Sequence, residues 1–297
     1  MIRPYHAPME GVVIYGSINW DWIWLLPRYP GEHEKLETLA LHHRLGGSGA
    51  NTSTWLARER DDVELIGAVG ADVDGERCLA WLAGAGVRSG RVALVEGART
   101  SRADCWIVGS DKRIAICREP RLHREHAPEP DLQLVSHARH LHIGSLVDGA
   151  AWECVTAAVS AGVPVSVELS GKSHVEVRGQ ADFVFLNTQE LNSVFGITNR
   201  LPAAGDLSQI APKPGAVAVI THGAQAIFCL SSAGLERFTV SPLDQVVDRT
   251  GGGDAFDAGF IAGWLQHGEL GSAVNRGLSS AKLALSQLGG ARRGEQG

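Results

Sequence analysis

The sequence predicts an α/β protein with a mostly parallel central sheet, helices on both faces of that sheet, and a small β lid beside it. Short apolar runs alternate along the chain with amphipathic stretches that have the spacing of helices. The apolar runs are nearly continuous, which is typical of strands buried on both faces of a parallel sheet. At 297 residues, 44% hydrophobic and 20% charged, the chain has a globular composition and enough length for a large core.

The first strand is expected at residues 12–15, where Gly16 stops an apolar run. The other expected strands are residues 63–69, 164–169, 183–186 and 216–221, followed by a hairpin-like pair at 226–230 and 235–240. The expected helices are residues 52–60, 76–83, 155–161 and 255–288. No linker divides the sequence, so we expect one domain over residues 1–297.

Two segments, residues 17–45 and 100–117, interrupt this alternation. The first has many aromatic residues and no clear helix, and the second has two strand-like runs around a turn at residues 109–111. We expect both to be antiparallel additions outside the main sheet. Together they would form a lid, and we expect a homodimer through that lid.

The formal net charge of −6 argues against a protein that binds nucleic acid or an anionic membrane, since both functions need a basic face. The five cysteines are far apart and form no C-x-x-C pair, which fits reduced thiols in the cytoplasm. No apolar stretch is long enough to span a bilayer, and residues 1–10 lack the apolar segment of a secretion signal. We therefore expect a cytoplasmic protein with no nucleic-acid or membrane partner.

Three consecutive glycines, Gly251, Gly252 and Gly253, precede a predicted helix that begins at Ala255. Glycines at a helix N-terminus let several backbone N–H groups point at one anion, and the helix dipole adds to the attraction. Such a nest suits a transferring phosphoryl group, whose charge builds up on its oxygens. Asp254, where the nest opens into the helix, can accept a proton from an attacking hydroxyl, or it can serve only as a helix cap.

A second glycine-rich segment, residues 46–51, also precedes a predicted helix. It fails as a dinucleotide fingerprint because Thr52 occupies the third glycine position. A loop in close contact with a polar ligand fits better, since Asn51 offers both a donor and an acceptor. A third segment, which ends in residues 171–173 (Gly-Lys-Ser), nearly matches a P-loop. It lacks the first glycine, however, and Glu168 would bring negative charge towards the phosphates.

Five motifs follow one another along the chain in a family-specific order. They are Gly16 to Asp21, Gly46 to Asn51, Asn187 to Glu190, Thr221 to Gly223, and Asp248 to Asp254 with Phe256 and Gly259. The last is similar to the signature D-T-x-G-A-G-D-x-F-x-A-G. Together they resemble the ribokinase (PfkB) family of carbohydrate and nucleoside kinases over nearly the whole chain. The resemblance implies a ribokinase-like three-layer α/β sandwich that transfers the γ-phosphate of ATP to a hydroxyl of a sugar or sugar-like substrate.

The resemblance also implies a role for each matching position. It makes Asp254 the general base and the N–H groups of Gly251, Gly252 and Gly253 the anion hole for the γ-phosphate. The positions implied to bind the substrate are Asn19, Asp21, Gly46, Gly47 and Asn51. The positions implied to bind the nucleotide are Asn187, Thr221, Gly223, Gly251 and Gly253. Glu190 would act on Mg²⁺ through water, and Asp248 and Thr250 lie where family members often bind a monovalent cation such as K⁺.

Some residues depart from the family pattern. Arg249 stands where the family usually has Thr, Gly252 where it usually has Ala, and Ser48 replaces a Lys found in some ribokinases. Ribose, fructose, a keto-deoxy sugar acid and a nucleoside therefore all stay open as substrates.

Outside the motifs, Trp106 can close over the substrate or pack within the lid. Arg118 can reach an acidic group of the substrate or form a surface salt bridge. Two other functions also stay open. One is a P-loop NTPase that uses Gly171, Lys172 and Ser173, and the other is a non-catalytic sugar or nucleotide sensor on the same fold.

Overall fold

The computed structural model describes residues 11–109, 111–119, 122, 129–145, 148–169, 175–198, 200–243 and 245–292. The strands in these ranges are β1 (Val12–Tyr15), β2 (Asn19–Leu25), β3 (Ala40–Gly46), β4 (Val63–Gly70), β5 (Arg88–Val95), β6 (Arg102–Val108), β7 (Asp111–Cys117), β8 (His140–Ile143), β9 (Val165–Glu168), β10 (Phe183–Asn187), β11 (Val217–His222), β12 (Ala226–Ser231) and β13 (Gly234–Thr239). The helices there are α1 (Ser48–Leu56), α2 (Val73–Gly84), α3 (Leu132–Ser136), α4 (Gly149–Ala161), α5 (Val175–Arg178), α6 (Thr188–Phe195), α7 (Leu207–Ile210), α8 (Gly252–His267) and α9 (Leu270–Ala284), with a 3-10 turn at Ala204–Asp206.

Nine of these strands form the central sheet, in the spatial order β13-β12-β11-β10-β9-β8-β1-β4-β5. Neighbouring strands pair in parallel from β11 to β5, whereas β12 and β13 pair antiparallel as a hairpin. Every residue of β1 and β8 is buried, because helices cover both faces of the sheet. This architecture confirms the predicted α/β class with a mostly parallel sheet.

The helices divide between the two faces of the central sheet. On one face, α3, α4, α6 and α7 pack apolar side chains such as Val155 and Leu191 against the strands. On the other face, α1, α2, α8 and α9 contribute residues such as Trp55, Leu82 and Phe260. The result is a layer of helices, a sheet and a second layer of helices. No helix in the described ranges is both long enough and apolar enough to cross a membrane.

The remaining four strands form a second sheet in the order β3-β2-β6-β7, which we call the lid. It contains the two segments predicted to lie outside the main sheet. Each segment is an antiparallel addition, as predicted, but the pairing that joins the two segments is parallel. β2 pairs antiparallel with β3, and β6 with β7, but β2 and β6 are joined in parallel. Each sequence segment folds as its own hairpin, and the parallel pairing joins the two hairpins.

Two helix boundaries differ from the sequence-based expectation. The first helix begins at Ser48 rather than at residue 52, because Gly47 adopts a φ of 89° and turns the chain directly into the helix. The single long helix expected over residues 255–288 is two helices, α8 and α9. Gly268, with a φ of 67°, ends α8 in the left-handed conformation typical of a helix C-terminus.

Two histidines of β8 are enclosed in the core. His140 and His142 project to the same side of the strand, and one ring nitrogen of each contacts the hydroxyl of Ser166, at 2.7 and 2.9 Å. Burial disfavours the charged imidazolium, so it lowers the pKa of His140 to about 4 and that of His142 to about 3. Both side chains are therefore neutral in the folded protein near pH 7.

We predict that these histidines make the fold sensitive to acid. Below pH 6.5 these histidines bind protons in the unfolded chain but not in the folded chain. The free energy of unfolding therefore decreases as the pH falls towards 4. The decrease in the free energy of unfolding approaches about 1.4 kcal/mol per pH unit for each histidine. In urea unfolding followed by tryptophan fluorescence at pH 7, 6 and 5, His142→Leu should show a shallower dependence of the unfolding free energy on pH than the wild type.

His137 provides the matched control, because it is exposed and lies just before the same strand. His137→Leu should leave the pH dependence of the unfolding free energy as it is in the wild type. Equal slopes in His142→Leu and in the wild type would contradict the assignment of the acid sensitivity to the buried pair.

Candidate active site

The strand order of the central sheet reverses between β1 and β8. These strands are neighbours, yet the chain leaves β1 towards β4 and β5 and leaves β8 towards β9 and β10. Ligands of open α/β sheets bind beyond the carboxyl ends of the strands at such a reversal. Here the two strands end at Gly16 and Gly144, and the N-terminus of α1 lies directly on them. A Cβ on either glycine would crowd the backbone of Gly49.

At the centre of the candidate site, α1 meets the first turn of α8. Asn51 donates a hydrogen bond from Nδ2 to Oδ2 of Asp254 over 2.7 Å, and both side chains are buried. The C-terminal segment closes behind this pair, because a Cβ on Gly290 would crowd the amide of Asn51. The hydrogen bond therefore fixes the orientation of the Asp254 carboxylate at the N-terminus of α8.

The glycines before Asp254 differ in their surroundings. Gly251 has a φ of 71°, and a side chain there would also overlap the backbone of Gly290, so the position requires glycine for two reasons. Gly253 borders open space, since no atom lies within 4 Å of a Cβ built on it. The first N–H groups of a helix have no partners within the helix and lie at the positive end of its dipole. The first turn of α8 can therefore receive an anion beside Gly253.

The pKa of Asp254 is shifted by its surroundings. Burial raises the pKa to about 6, because a carboxylate loses solvation in the interior. The hydrogen bond from Asn51 and the positive charge of Lys112 both favour the ionised form and limit the rise. At neutral pH the side chain is mostly ionised and can accept a proton from a ligand hydroxyl.

Other carboxylates surround Asp254. Burial raises the pKa of Glu168 and Asp257 well above the usual range, and the charges of Asp254 and Glu190 raise it further. Oε2 of Glu168 is buried and has no hydrogen-bond partner in the part of the chain that the structure describes. Within that part, no three His, Cys, Asp or Glu side chains converge closely enough to hold a metal by themselves. These carboxylates disfavour one another's ionised forms. A cation or a hydrogen-bond donor of the ligand would stabilise the ionised forms.

Asn187 and Glu190 form a capping box at the start of α6. Oδ1 of Asn187 accepts the N–H groups of Gln189 and Glu190, each at 2.9 Å, and Oε2 of Glu190 accepts the N–H of Asn187 at 2.8 Å. The N-x-x-E motif thus has a structural role of its own. Asn187 is also paired with Thr221, so both residues lie at the carboxyl edge of the parallel sheet.

Thr221 and Gly223 lie at the turn between β11 and β12. Val219 packs against Phe256 of α8, and Thr221, two residues further along the strand, shares that face of the sheet. Gly223 has a φ of 54°, and nothing lies within 4 Å of a Cβ built on it. The turn therefore leaves open space beside Gly223.

Asp248 and Thr250 form a tight turn just before α8. Oδ1 of Asp248 accepts hydrogen bonds from the N–H of Thr250 at 2.9 Å and from its hydroxyl at 2.7 Å. Oδ2 of Asp248 accepts the N–H of Gly289 at 3.0 Å, which links the turn to the C-terminal segment. The ammonium of Lys112, from the lid, donates to Oγ1 of Thr250 at 2.8 Å.

The lid contributes a second buried carboxylate. Oδ1 of Asp21 accepts the N–H of Ala103 at 3.1 Å, and burial raises the pKa of Asp21 to about 7. Its other oxygen packs directly on Gly46, where a Cβ would overlap it. Gly47 lies against the carbonyl oxygen of Ser17 in the same way. These two glycines therefore allow close approach of backbone and carboxylate, in addition to any contact with substrate.

The substrate-binding residues predicted from the sequence occupy two regions. Asn19, Asp21 and Asn51 are buried near the junction of the lid and α1, and Asn19 pairs with Gly46. Trp106 lies on the outer face of the lid, beside Trp24 and Arg113 and 41% exposed, whereas Asp21 and Cys105 are on the inner face. The structure does not bring Trp106 together with Asp254.

Arg118 is exposed just after β7. The segment of Gly171, Lys172 and Ser173 lies outside the described residues.

Sequence reasoning missed two residues near Asp254. Asp257 follows Asp254 by three positions, which puts both on one side of α8. That spacing is a signal visible in the sequence. Lys112 pairs with Ile107 in the β6–β7 hairpin, so it lies on the opposite face of the lid from Trp106. The pairing itself needs the structure.

Comparisons with known proteins give the family of the chain. Residues 9–295 match the family described as "pfkB family carbohydrate kinase". The ATP-dependent ribose-1-phosphate kinase of Halopiger xanaduensis is 28% identical over 286 residues, which cover 95% of this chain and 94% of that protein.

Two solved structures share the fold. The Arabidopsis thaliana ribokinase complexed with ribose and ATP has a TM-score of 0.80 at 23% identity and covers 94% of each chain. The Burkholderia thailandensis nucleoside kinase in complex with inosine has a TM-score of 0.75 at 17% identity, covering 96% of this chain and 92% of that one. Because the family match extends over nearly the whole sequence, this chain belongs to the pfkB family of carbohydrate kinases, which are ATP-dependent sugar and nucleoside kinases.

Proposed function

We propose that this enzyme transfers the γ-phosphate of ATP to a hydroxyl of a sugar or nucleoside, with Asp254 as the general base. The observation that carries the proposal is the Asn51–Asp254 hydrogen bond at the N-terminus of α8. It holds a carboxylate with a pKa of about 6 beside a helix end that can receive an anion. A base and an anion-binding site at one point are what phosphoryl transfer to a hydroxyl requires.

The proposed substrate contains a ribose unit. The three relatives described above act on ribose 1-phosphate or are complexed with ribose or inosine, and ribose is the chemistry that these compounds share. Asn19, Asp21 and Asn51 would hold the hydroxyl groups, with Gly46 and Gly47 letting the backbone come close. A carboxylate and two amides offer the several donors and acceptors that a polyol needs.

The phosphates of ATP would lie along the carboxyl edge of the sheet. Gly251, Gly252 and Gly253 would bind the γ-phosphate through their N–H groups. Thr221 and Gly223 would bind the nucleotide at a turn where Gly223 borders open space. Asn187 and Glu190 would act from the start of α6.

The acidic residues around Asp254 fit a Mg²⁺ ion that is held largely through water and the phosphates. Carboxylate oxygens are the ligands that Mg²⁺ prefers, and no three of them converge in the described structure. Glu190 would face the ion. The Mg²⁺ ion would neutralise negative charge on the phosphates.

The lid would close over the substrate and exclude water, which limits wasteful hydrolysis of ATP. We propose that the whole chain acts as one kinase domain, with Arg118 as a further lid residue that can approach the substrate on closure. We also propose that the enzyme works in the cytoplasm, because all five cysteines are free thiols in the structure.

Two alternatives remain testable. A P-loop NTPase would depend on Lys172, and a non-catalytic sensor would bind the same ligands without turnover. The buried, oriented base argues against the sensor, since a sensor has no need of a carboxylate held at an anion-binding helix end.

We predict that Asp254→Asn lowers kcat for ATP-dependent phosphorylation on the order of 100-fold to 10,000-fold, because the amide cannot accept the proton. Product formation should be followed with ribose, ribose 1-phosphate, inosine, adenosine and cytidine as acceptors. Lys172→Ala serves as the matched control and should keep wild-type turnover. If the control loses ATP hydrolysis and Asp254→Asn keeps full activity, the P-loop alternative replaces the proposal.

We predict that kcat/KM falls as the pH drops through about 6, because Asp254 must be ionised to accept a proton. Asn51→Ala removes the hydrogen bond that lowers the pKa of Asp254, so the acidic limb of the profile should move to higher pH. Asn275→Ala, at an exposed position of α9, should leave the limb in place. An unshifted limb in Asn51→Ala would refute the link between the hydrogen bond and the base.

We predict a homodimer that forms through the outer face of the lid. This face exposes Trp106 and Leu41, at 41% and 37%. Trp106→Glu should convert the dimer to a monomer in sedimentation velocity, because a charge would be buried in the interface. Trp152→Glu on α4, at 39% exposure, is the matched control and should stay dimeric. A wild-type monomer at micromolar concentration would refute the prediction.

A further inference from the structure

Lys112 is a cation that the lid carries into the candidate site. It lies near the start of β7 and pairs with Ile107, so it shares the inner face of the lid with Cys105 and Asp21. The other residues of β7 are exposed, whereas Lys112 is half-buried. Its Nζ donates to Oγ1 of Thr250 at 2.8 Å, joining two residues that are 138 positions apart.

The contact with Lys112 continues into the turn before α8. The hydroxyl of Thr250 accepts from the ammonium and donates to Oδ1 of Asp248 at 2.7 Å. An ammonium, a hydroxyl and a carboxylate therefore form one hydrogen-bonded chain. Gly251 and Asp254 follow this turn directly, so the position of the turn sets the position of the anion-binding end of α8.

The same turn does not fit the monovalent cation that the sequence resemblance implied. Both carboxylate oxygens of Asp248 accept hydrogen bonds, from Thr250 and from Gly289. The hydroxyl of Thr250 is already engaged with Asp248 and Lys112. A K⁺ ion bound to Oδ1 of Asp248 or to the hydroxyl of Thr250 would have to displace these hydrogen bonds, and the ammonium group would repel it. The ammonium of Lys112 supplies the positive charge at the Asp248–Thr250 turn.

The charge of Lys112 also reaches the two buried aspartates. It lowers the pKa of Asp254 and that of Asp21, in both cases against the effect of burial. Among the described residues, the other charged groups around this region include the carboxylates of Glu168, Glu190 and Asp257. They also include Arg44, which pairs with Asp21 in the lid sheet and whose side chain packs against Gly289. Lys112 thus offsets part of a strongly negative environment.

We propose that Lys112 is a positioning residue for phosphoryl transfer, whose ammonium ties the lid to the Asp248–Thr250 turn and takes the place of a monovalent cation beside the first turn of α8. The kinetic consequences rest on the proposed function. The contact with Thr250 and the influence on Asp254 need no substrate and can be tested separately.

The first experiment measures the pKa of Asp254 in the substrate-free protein by ¹³C NMR titration of the carboxyl groups, with Asp254→Asn for assignment. Lys112→Met removes the charge and keeps the side-chain length, and it should raise the pKa on the order of one unit. Lys112→Arg should restore the wild-type value. An unchanged pKa in Lys112→Met overturns the proposal.

Arg113→Met is the matched control for this titration. Arg113 is adjacent in sequence and carries the same charge, but it lies on the outer face of the lid, 3.9 Å from the ring centre of Tyr29. Arg113→Met should leave the pKa of Asp254 at the wild-type value. An equal rise in both variants would mean that Lys112 acts only through net charge, and would overturn the proposal.

The second experiment compares kcat in K⁺ buffer and in tetramethylammonium buffer, with MgATP and the best ribose-containing acceptor. The wild type should be equally active in both. Lys112→Met should lose kcat on the order of 10-fold to 100-fold while KM for the acceptor changes less, and Lys112→Arg should recover most of the loss. A wild type that needs K⁺ overturns the proposal. If no acceptor is phosphorylated, the proposed function fails, and the NMR titration still decides the role of Lys112.

Discussion

The candidate site depends on one close contact, the meeting of the N-termini of α1 and α8 over the carboxyl ends of β1 and β8. The Asn51–Asp254 hydrogen bond joins the two helices, and it forms only because backbone approaches backbone at Gly16, Gly49 and Gly290. A methyl group at any of these glycines would push the helices apart or move the Asn51 amide. The close packing at these glycines therefore determines the position of Asp254, the proposed base.

The cost of this arrangement is electrostatic. Several carboxylates lie in or beside the interior, and burial raises the pKa of each. The ionised form of each side chain is therefore disfavoured in the folded protein. Three things offset part of the cost: the positive ends of α1 and α8, the donor group of Asn51, and the ammonium of Lys112. The metal ion of a bound nucleotide would supply further positive charge, whereas the phosphates would add negative charge of their own. The negative net charge of the chain is compatible with the proposed anionic ligand, because backbone N–H groups and local cations would bind it.

The fold could be predicted from the sequence largely because buried parallel strands leave near-continuous apolar runs. Residues 12–15 were predicted as a strand and form β1 without change. The glycine motifs located α1 and α8, because a helix N-terminus next to glycines is a local pattern. The parallel pairing of β2 with β6 and the contact of Lys112 with Thr250 are not local, and nothing in the nearby sequence encodes such partners. The roles of Gly46 and Gly47 in packing were hidden for the same reason.

The lid is built from two hairpins whose joining strands are about eighty residues apart, with α1, β4, α2 and β5 between the hairpins. Neither hairpin alone has the third strand that an isolated β structure needs in water. The loop between them must close, at an entropic cost, before their parallel pairing contributes anything. The central strands have to be in place to bring the two halves together. We therefore expect the two hairpins of the lid to pair only after the central strands have formed.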